Sequence, residues 1–383
     1  MPQPNNYHAS IHTADEFLQK QQGKLERLTN TTFQFEQRFG IGIQAGRYSA
    51  VYFDKTAQIA QAYRPNTQVT MQFFQRQQAV LCGVDEAIAL VHTFAHKPQT
   101  LEIKALHDGD SIEPFEPVLS ITGEYQKFGF LEGMIDGILA RRTSVATNVT
   151  KAVAAANGKP VIFMGDRDDH FGQQAGDGYA AFIGGSTAQA TPAMTEWWGG
   201  QAMGTMPHAL IQLFGGDLLA ACHAYRAQFP HEKLVALVDY HNDVIGDALK
   251  VAAEFGEQLS GVRVDTSGQM VDAYFSQHPE AGHMGQVDPR GVNVTLIKAL
   301  RHALDQAGHS KVQIIASGGF TADKIKDFEQ QNAPVDAYGV GSSLIKVTLG
   351  FTGDCVLLDG KPQAKVGRHY TPSARLQPVT YNI

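Results

Sequence analysis

Two short stretches decide the fold: Val312-Gln-Ile-Ile-Ala-Ser-Gly-Gly-Phe320 and, one helix-length later, Val335-Asp-Ala-Tyr-Gly-Val-Gly-Ser-Ser343. Each is a brief apolar run that stops at a glycine turn, and the segment Thr321–Gln331 between them carries a helical pattern. Strand, helix, strand with short connections is the βαβ unit, which makes the two strands parallel. Working outward, the same punctuation recurs back to Phe128. The further strands expected are Val161–Met164, Ala180–Ile183, Ala202–Thr205, Leu234–Val238 and Gly261–Val264. The helices expected are Thr143–Asn157, Leu210–Ala227, Asp243–Leu259 and Val292–Ala307. Roughly seven units over this distance predict an irregular α/β barrel, since a regular one has eight in about 250 residues. An open doubly wound sheet is the alternative.

The flanks read differently. From Tyr48 to Tyr125 come two helical patterns, one of them Thr70–Thr93, then the strand-like passages Leu101–Leu106 and Glu116–Gly123 around the turn His107-Asp-Gly-Asp110. The polar start of the chain holds a weak helical pattern over Ala14–Arg27, and the tail beyond Gly353 returns to short strand-like pieces. The expected division is an α+β domain over 1–127, completed by 350–383, and the barrel over 128–349.

Composition narrows the function. A net charge of −7 argues against a general nucleic-acid or anionic-membrane surface, so any anion must be held in a focused pocket. Cys82, Cys222 and Cys355 are odd in number and far apart, which indicates neither a disulfide framework nor a zinc knuckle. With no signal-like start and no long apolar run, a cytoplasmic location is expected.

In a barrel, function sits where strands end. Those ends read Gly165-Asp-Arg-Asp-Asp-His170, Gly184-Gly-Ser-Thr187, Gly204-Thr-Met-Pro-His208, Asp239-Tyr-His-Asn-Asp243, Asp265-Thr-Ser-Gly268, Ser317-Gly-Gly319 and Gly339-Val-Gly-Ser-Ser343. The last two precede helices, so backbone N–H groups can converge on a phosphate there; turns that merely need glycine are the alternative. Arg167 and the pair Arg141-Arg142 offer forks for carboxylate or phosphate, against solvated surface arginine. Asp239, Asp243 and Asp265 could hold Mg2+ or ribose hydroxyls, although Asp243 equally fits a helix cap. His208 fits an acid, a base, a phosphate ligand or a phosphorylated nucleophile, and a structural role as well.

Taken in order, Tyr52-Phe-Asp-Lys-Thr56, Ala140-Arg-Arg-Thr143, Gly184-Gly-Ser-Thr187, Gly204-Thr-Met-Pro-His208, Val264-Asp-Thr-Ser-Gly268 and the two late glycine turns resemble motifs of the nicotinate phosphoribosyltransferases, among the type II phosphoribosyltransferases. The resemblance implies transfer of phosphoribose from phosphoribosyl pyrophosphate to nicotinate, giving nicotinate mononucleotide and pyrophosphate in NAD biosynthesis. It also implies Mg2+, ATP as co-substrate and a homodimer. His208 then falls on the histidine that the family phosphorylates, and Asp265 joins it in catalysis. Tyr52, Thr56, Arg142, Arg167, His170 and Thr205 fall on substrate-binding positions. Gly184, Gly185 and Ser186, with Ser317, Gly318 and Gly319 and with Gly339, Gly341 and Ser342, would bind phosphate, and Asp239 and Asp265 would hold the metal. The chain departs from the family's pattern at Lys55, at Asp168 and around Asp239 and Asp265. A relative using nicotinamide or quinolinate, or a non-catalytic binder of phosphoribosyl ligands, is the alternative.

Overall fold

The computed structural model describes residues 27–281 and 288–381. The expected helix Ala14–Arg27 lies, except for Arg27, outside them. The described chain forms two compact units, one from Asn148–Gly178 with Gly185–Ile345, the other from residues 27–147 with Tyr179–Gly184 and residues 346–381.

The first unit is built on a parallel sheet of six strands in the order Ala188–Gln189, Val161–Phe163, Ala337–Val340, Gln313–Ala316, Leu259–Val264, Leu234–Leu237. Followed through the sequence, the last four strands stack side by side and the first two continue from the end of that stack. This is the cyclic order of a barrel opened between Ala188–Gln189 and Leu234–Leu237. A doubly wound sheet would instead reverse at a switch point. The fold is therefore α/β, with a parallel half-barrel in place of a closed ring. The strands are nearly all apolar because helices cover them; Ala337–Val340 is buried at every position.

Two of the seven expected strands are absent. Ala180–Ile183 is the last turn of the helix Gln174–Ile183. A short run such as Ala-Ala-Phe-Ile fits either structure, and here it ends a helix that is buried at nearly every position. At the second, only Ala202 bridges to Gln189. The expected helix Leu210–Ala227 is two, His208–Leu213 and Leu218–Gln228, broken where Gly215 and Gly216 both take positive φ.

The second unit carries a six-stranded sheet in the order Lys361–Pro362, Thr352–Leu358, Gln68–Phe74, Leu119–Glu124, Glu102–Ala105, Gln377–Pro378. Strands from both ends of the chain thus share one antiparallel sheet, as the expected α+β domain requires. The helix expected over Thr70–Thr93 is a correction. Its first part, Gln68–Phe74, is a central strand pairing Met71 with both Ile121 and Cys355, and helix begins only at Val84–Phe94. The β-branched and aromatic residues of Val-Thr-Met-Gln-Phe-Phe suit that position. Arg141 to Thr143, expected to open a helix, lie in the middle of Glu132–Ala155. There Arg142 Nε donates to Glu86 Oε2 at 2.8 Å, both side chains being 9% exposed.

Three carboxyls crowd the start of that long helix. Burial first, then Asp136 and Asp354, push the Glu132 carboxyl from its ordinary 4.5 up to about 8. Burial, opposed by a hydrogen bond from the Gly353 N–H, brings Asp136 up to about 6. An acid raised in the folded state binds more protons there than in the unfolded chain, so its contribution is intact below about pH 4.5 and is lost as the pH climbs toward 8. The substitution Glu132→Gln should therefore raise the melting temperature by about 2–4 °C at pH 8.5 and leave it nearly unchanged at pH 5, read by thermal denaturation at the two values.

Candidate active site

The carboxyl ends of the half-barrel strands bring together most, not all, of the residues singled out in the sequence. Ser317 follows Gln313–Ala316 and donates its hydroxyl to Asp265 Oδ1 at 2.9 Å. Gly318 and Gly319 both take positive φ, 87° and 68°, and a Cβ at Gly318 would stand 3.2 Å from Asp265 Oδ1. One strand over, a Cβ at Gly341 would meet the Met164 carbonyl at 2.7 Å and Asp168 Oδ2 at 2.9 Å, while one at Gly339 would meet Met164 Sδ at 2.8 Å. The two turns are thus neighbours, but only the first leads into a helix, Ala322–Gln330; the helix expected after Gly339 to Ser343 is absent, and the second turn offers bare backbone alone.

The turn Gly184-Gly-Ser186 is different. It closes a helix and leads into the strand Ala188–Gln189, so Gly185 and Ser186 sit at the amino end of the sheet. Ser186 is 3% exposed and gives its hydroxyl to the carbonyls of Val161 and Ala188. Its phosphate-binding assignment, implied by the family resemblance, meets a turn that follows a helix and a Ser186 hydroxyl already spent on protein carbonyls.

His208 opens the helix His208–Leu213, with Nε2 3.0 Å from Asp239 Oδ2. The imidazole is 45% exposed and the carboxylate 6%. Burial raises the pKa of Asp239 above the usual carboxylate range; His208 opposes that and Asp265 adds to it. Asp243 takes the cap role, its side chain accepting from Gly246 N–H. His170 likewise spends Nδ1 on Gly172 N–H, and its ring stacks on Phe171. Arg167 is exposed at the same strand end. Tyr52 and Thr56, in the other unit, lie on the helix Val51–Tyr63, where Thr56 with Ile59, Val69, Met71 and Glu132 lines a pocket of about 430 Å³.

Sequence reasoning missed Arg263. It stands in the largely buried strand Leu259–Val264, two residues before Asp265, and its Nη2 donates to the Met206 carbonyl at 3.2 Å. Burial lowers its pKa from the ordinary arginine value, opposed by Asp265 and Asp239 and reinforced by Arg167. The available signal was a lone cation in a buried parallel strand, which is rarely placed without a partner.

The arrangement is incomplete by itself. Among the described residues, seven buried side-chain polar atoms have no hydrogen-bond partner, and four of these, Thr205 Oγ1, Asp239 Oδ1, Arg263 Nε and Thr266 Oγ1, belong to this mouth. Buried polar atoms are normally satisfied, so such a concentration marks where a ligand completes the set. The free Asp239 Oδ1 beside Asp265 also fits Mg2+, which needs only one or two carboxylates when it arrives with substrate phosphates. Among the described residues no helix is long and apolar enough to cross a membrane.

Comparison with known proteins adds the family. Residues 50–143 match the sequence model of the quinolinate phosphoribosyl transferase N-terminal domain, and residues 145–349 that of its C-terminal domain. Nicotinate phosphoribosyltransferase pncB1 of Mycobacterium tuberculosis is 30% identical over 69% of this chain and 55% of its own length; the chain spans about half the length of the curated relatives it matches. The crystal structure of nicotinate-nucleotide pyrophosphorylase from Pyrococcus furiosus superposes with a TM-score of 0.72 at 30% identity, covering 85% of this chain and 79% of that one. Human nicotinic acid phosphoribosyltransferase shares the fold, with a TM-score of 0.65 at 18% identity over 85% of this chain and 77% of its own. With more than half of its length matched by one family model, and with the half-barrel and its two glycine turns in place, the chain belongs to the type II phosphoribosyltransferases, the family of the quinolinate and nicotinate enzymes.

Proposed function

We propose that the protein is a nicotinate phosphoribosyltransferase, joining nicotinate to phosphoribosyl pyrophosphate with ATP as co-substrate, in a cytoplasmic route to NAD. The observation that carries this is the set of unsatisfied buried atoms around Arg263, beside two bare glycine turns. The turns at Ser317 to Gly319 and Gly339 to Ser342 suit the 5′-phosphate, and Asp265, held by Ser317, suits the ribose hydroxyls. The ring nitrogen of nicotinate is already nucleophilic, so the protein's task is to position it and to neutralise the departing pyrophosphate. Arg263 and Arg167 are the cations for the nicotinate carboxylate and the pyrophosphate, and Thr205 and Thr266 supply free hydroxyls. Asp239 and Asp265 would hold Mg2+, which when bound offsets the charge of the leaving group.

His208 is the phosphorylation site in this reading, since Asp239 occupies Nε2 and leaves Nδ1 to attack the terminal phosphorus of ATP as ADP departs. The exposed face of the helix Val51–Tyr63, with Val51, Tyr52, Ile59 and Tyr63 all more than half exposed, supports a homodimer in which Tyr52 and Thr56 reach a neighbouring site. Arg142, already paired with Glu86, contributes to binding only by supporting its surroundings.

Incubating the protein with phosphoribosyl pyrophosphate, Mg2+ and each of nicotinate, nicotinamide and quinolinate, with and without ATP, should give mononucleotide from nicotinate and faster with ATP. Product from quinolinate alone would transfer the reading to the dicarboxylate enzyme, and no product from any base would end it. His208→Ala should abolish the ATP stimulation while leaving the basal reaction measurable. Arg263→Lys, which keeps the charge but loses the planar fork, should lower kcat/KM for nicotinate by about 100-fold. An unchanged value would remove Arg263 from the base site.

A further inference from the structure

The turn that leaves the strand Leu234–Leu237 carries a second imidazole. Asn242 takes positive φ, 56°, and this reversal swings His241 over the first turn of the helix Val244–Phe255. There His241 Nδ1 stands 2.7 Å from Asp247 Oδ2. The carboxylate is 1% exposed, the imidazole 43%. Lys250 Nζ approaches the other oxygen at 3.3 Å. The buried neighbours on this helix, among them Val244, Ala248 and Val251, are apolar. A carboxylate among them is expensive to desolvate, and a hydrophobic residue would pack there more cheaply. What the carboxylate provides is an imidazole of fixed direction.

Because Asp247 takes the Nδ1–H, the ring's lone pair lies on Nε2. Among the described residues no group bonds Nε2, which faces Gly216, where a Cβ would stand 3.7 Å away. Tyr240 neighbours both histidines, its ring centroid 6.5 Å from that of His208 and 5.1 Å from that of His241. The two dyads are opposite in sense: His208 is held through Nε2, His241 through Nδ1.

We propose that His241 touches substrate, accepting at Nε2 a hydrogen bond from a ribose hydroxyl of the phosphorylated co-substrate, and that Asp247 is its positioning residue. The inference rests on the phosphoribosyl-transfer reading above. A lone pair needs a donor; phosphate oxygens bring few protons at neutral pH, whereas the sugar carries free hydroxyls. Phosphoribosyl pyrophosphate and ATP both bring such a sugar.

Two substitutions separate this role from packing. His241→Asn keeps the bond to Asp247, with the amide nitrogen in the place of Nδ1, but removes the acceptor at Nε2; His241→Gln restores an acceptor near that position. Calorimetric titration of the full chain with Mg2+ and, in separate runs, phosphoribosyl pyrophosphate, ATP, 2′-deoxy-ATP and 3′-deoxy-ATP should show about tenfold weaker binding of one ribose ligand to the Asn variant and recovery with Gln. If ATP is the source, the loss falls on ATP and is absent with the analogue lacking the contacted hydroxyl; if phosphoribosyl pyrophosphate is the source, ATP binding is unchanged. Asp247→Asn, which still offers Nδ1 an acceptor, should weaken the same ligand by about threefold. Unchanged dissociation constants in the Asn variant overturn the proposal, as does an unmodified protein that binds neither ligand. Shifted constants without mononucleotide from any base would leave His241 as a ribose contact and end the transferase reading, so the two failures are distinguishable.

Discussion

The strand Ala337–Val340 is the constraint on which the mouth depends. It is hydrogen-bonded on both sides, Tyr338 against Val161 and Ala337 against Ile315, and so joins the first strand of the unit to the last ones. Buried backbone groups must be paired, and a strand with no exposed residue can slip in neither direction without losing both ladders. Its fixed register sets Gly341 against the Met164 carbonyl and Gly339 against Ser317. Ser317 in turn fixes Asp265. The two glycine turns, the Asp265 carboxylate and the start of the Arg167 loop are therefore placed by one pairing between segments far apart in sequence.

Much of this is legible in the chain because parallel strands covered on both faces leave a plain mark, a short apolar run with glycine or aspartate at its end. The runs ending near Met164, Val238, Val264, Ala316 and Val340 carry that mark, and each is a strand. The same mark misleads at Ala180–Ile183, where nothing local separates a buried strand from the buried end of a helix. At Thr70 a helical pattern misleads instead, because the partners of that strand, Leu119–Glu124 and Thr352–Leu358, lie far away in the sequence and only the assembled sheet shows them. The misreading of Ala180–Ile183 also put Gly184 to Ser186 at the end of a strand, where the structure has the end of a helix. Arg263 was hidden for another reason. Its residue type is visible, but an orphaned Nε is a property of its surroundings.

The balance of charge at the mouth limits what can complete it. Arg263 is destabilised as a cation by burial and by Arg167, and is sustained by Asp265 and Asp239. Asp239 is destabilised as an anion by burial and by Asp265, and is relieved by His208. For both groups burial is the larger burden; the opposite charges outweigh the like-charged neighbour and still leave burial unoffset. A neutral ligand would fill the space and relieve neither pair. A single anion would relieve the arginines and aggravate the aspartates. Both are relieved together when an anionic group meets the arginines while a phosphate-bound divalent cation meets the carboxylates, and a hydroxylated sugar between them satisfies the remaining polar atoms. In the proposed reaction that combination would be a phosphoribosyl diphosphate accompanied by Mg2+ and an acidic base, so the unsatisfied atoms support that reading more than any single motif does.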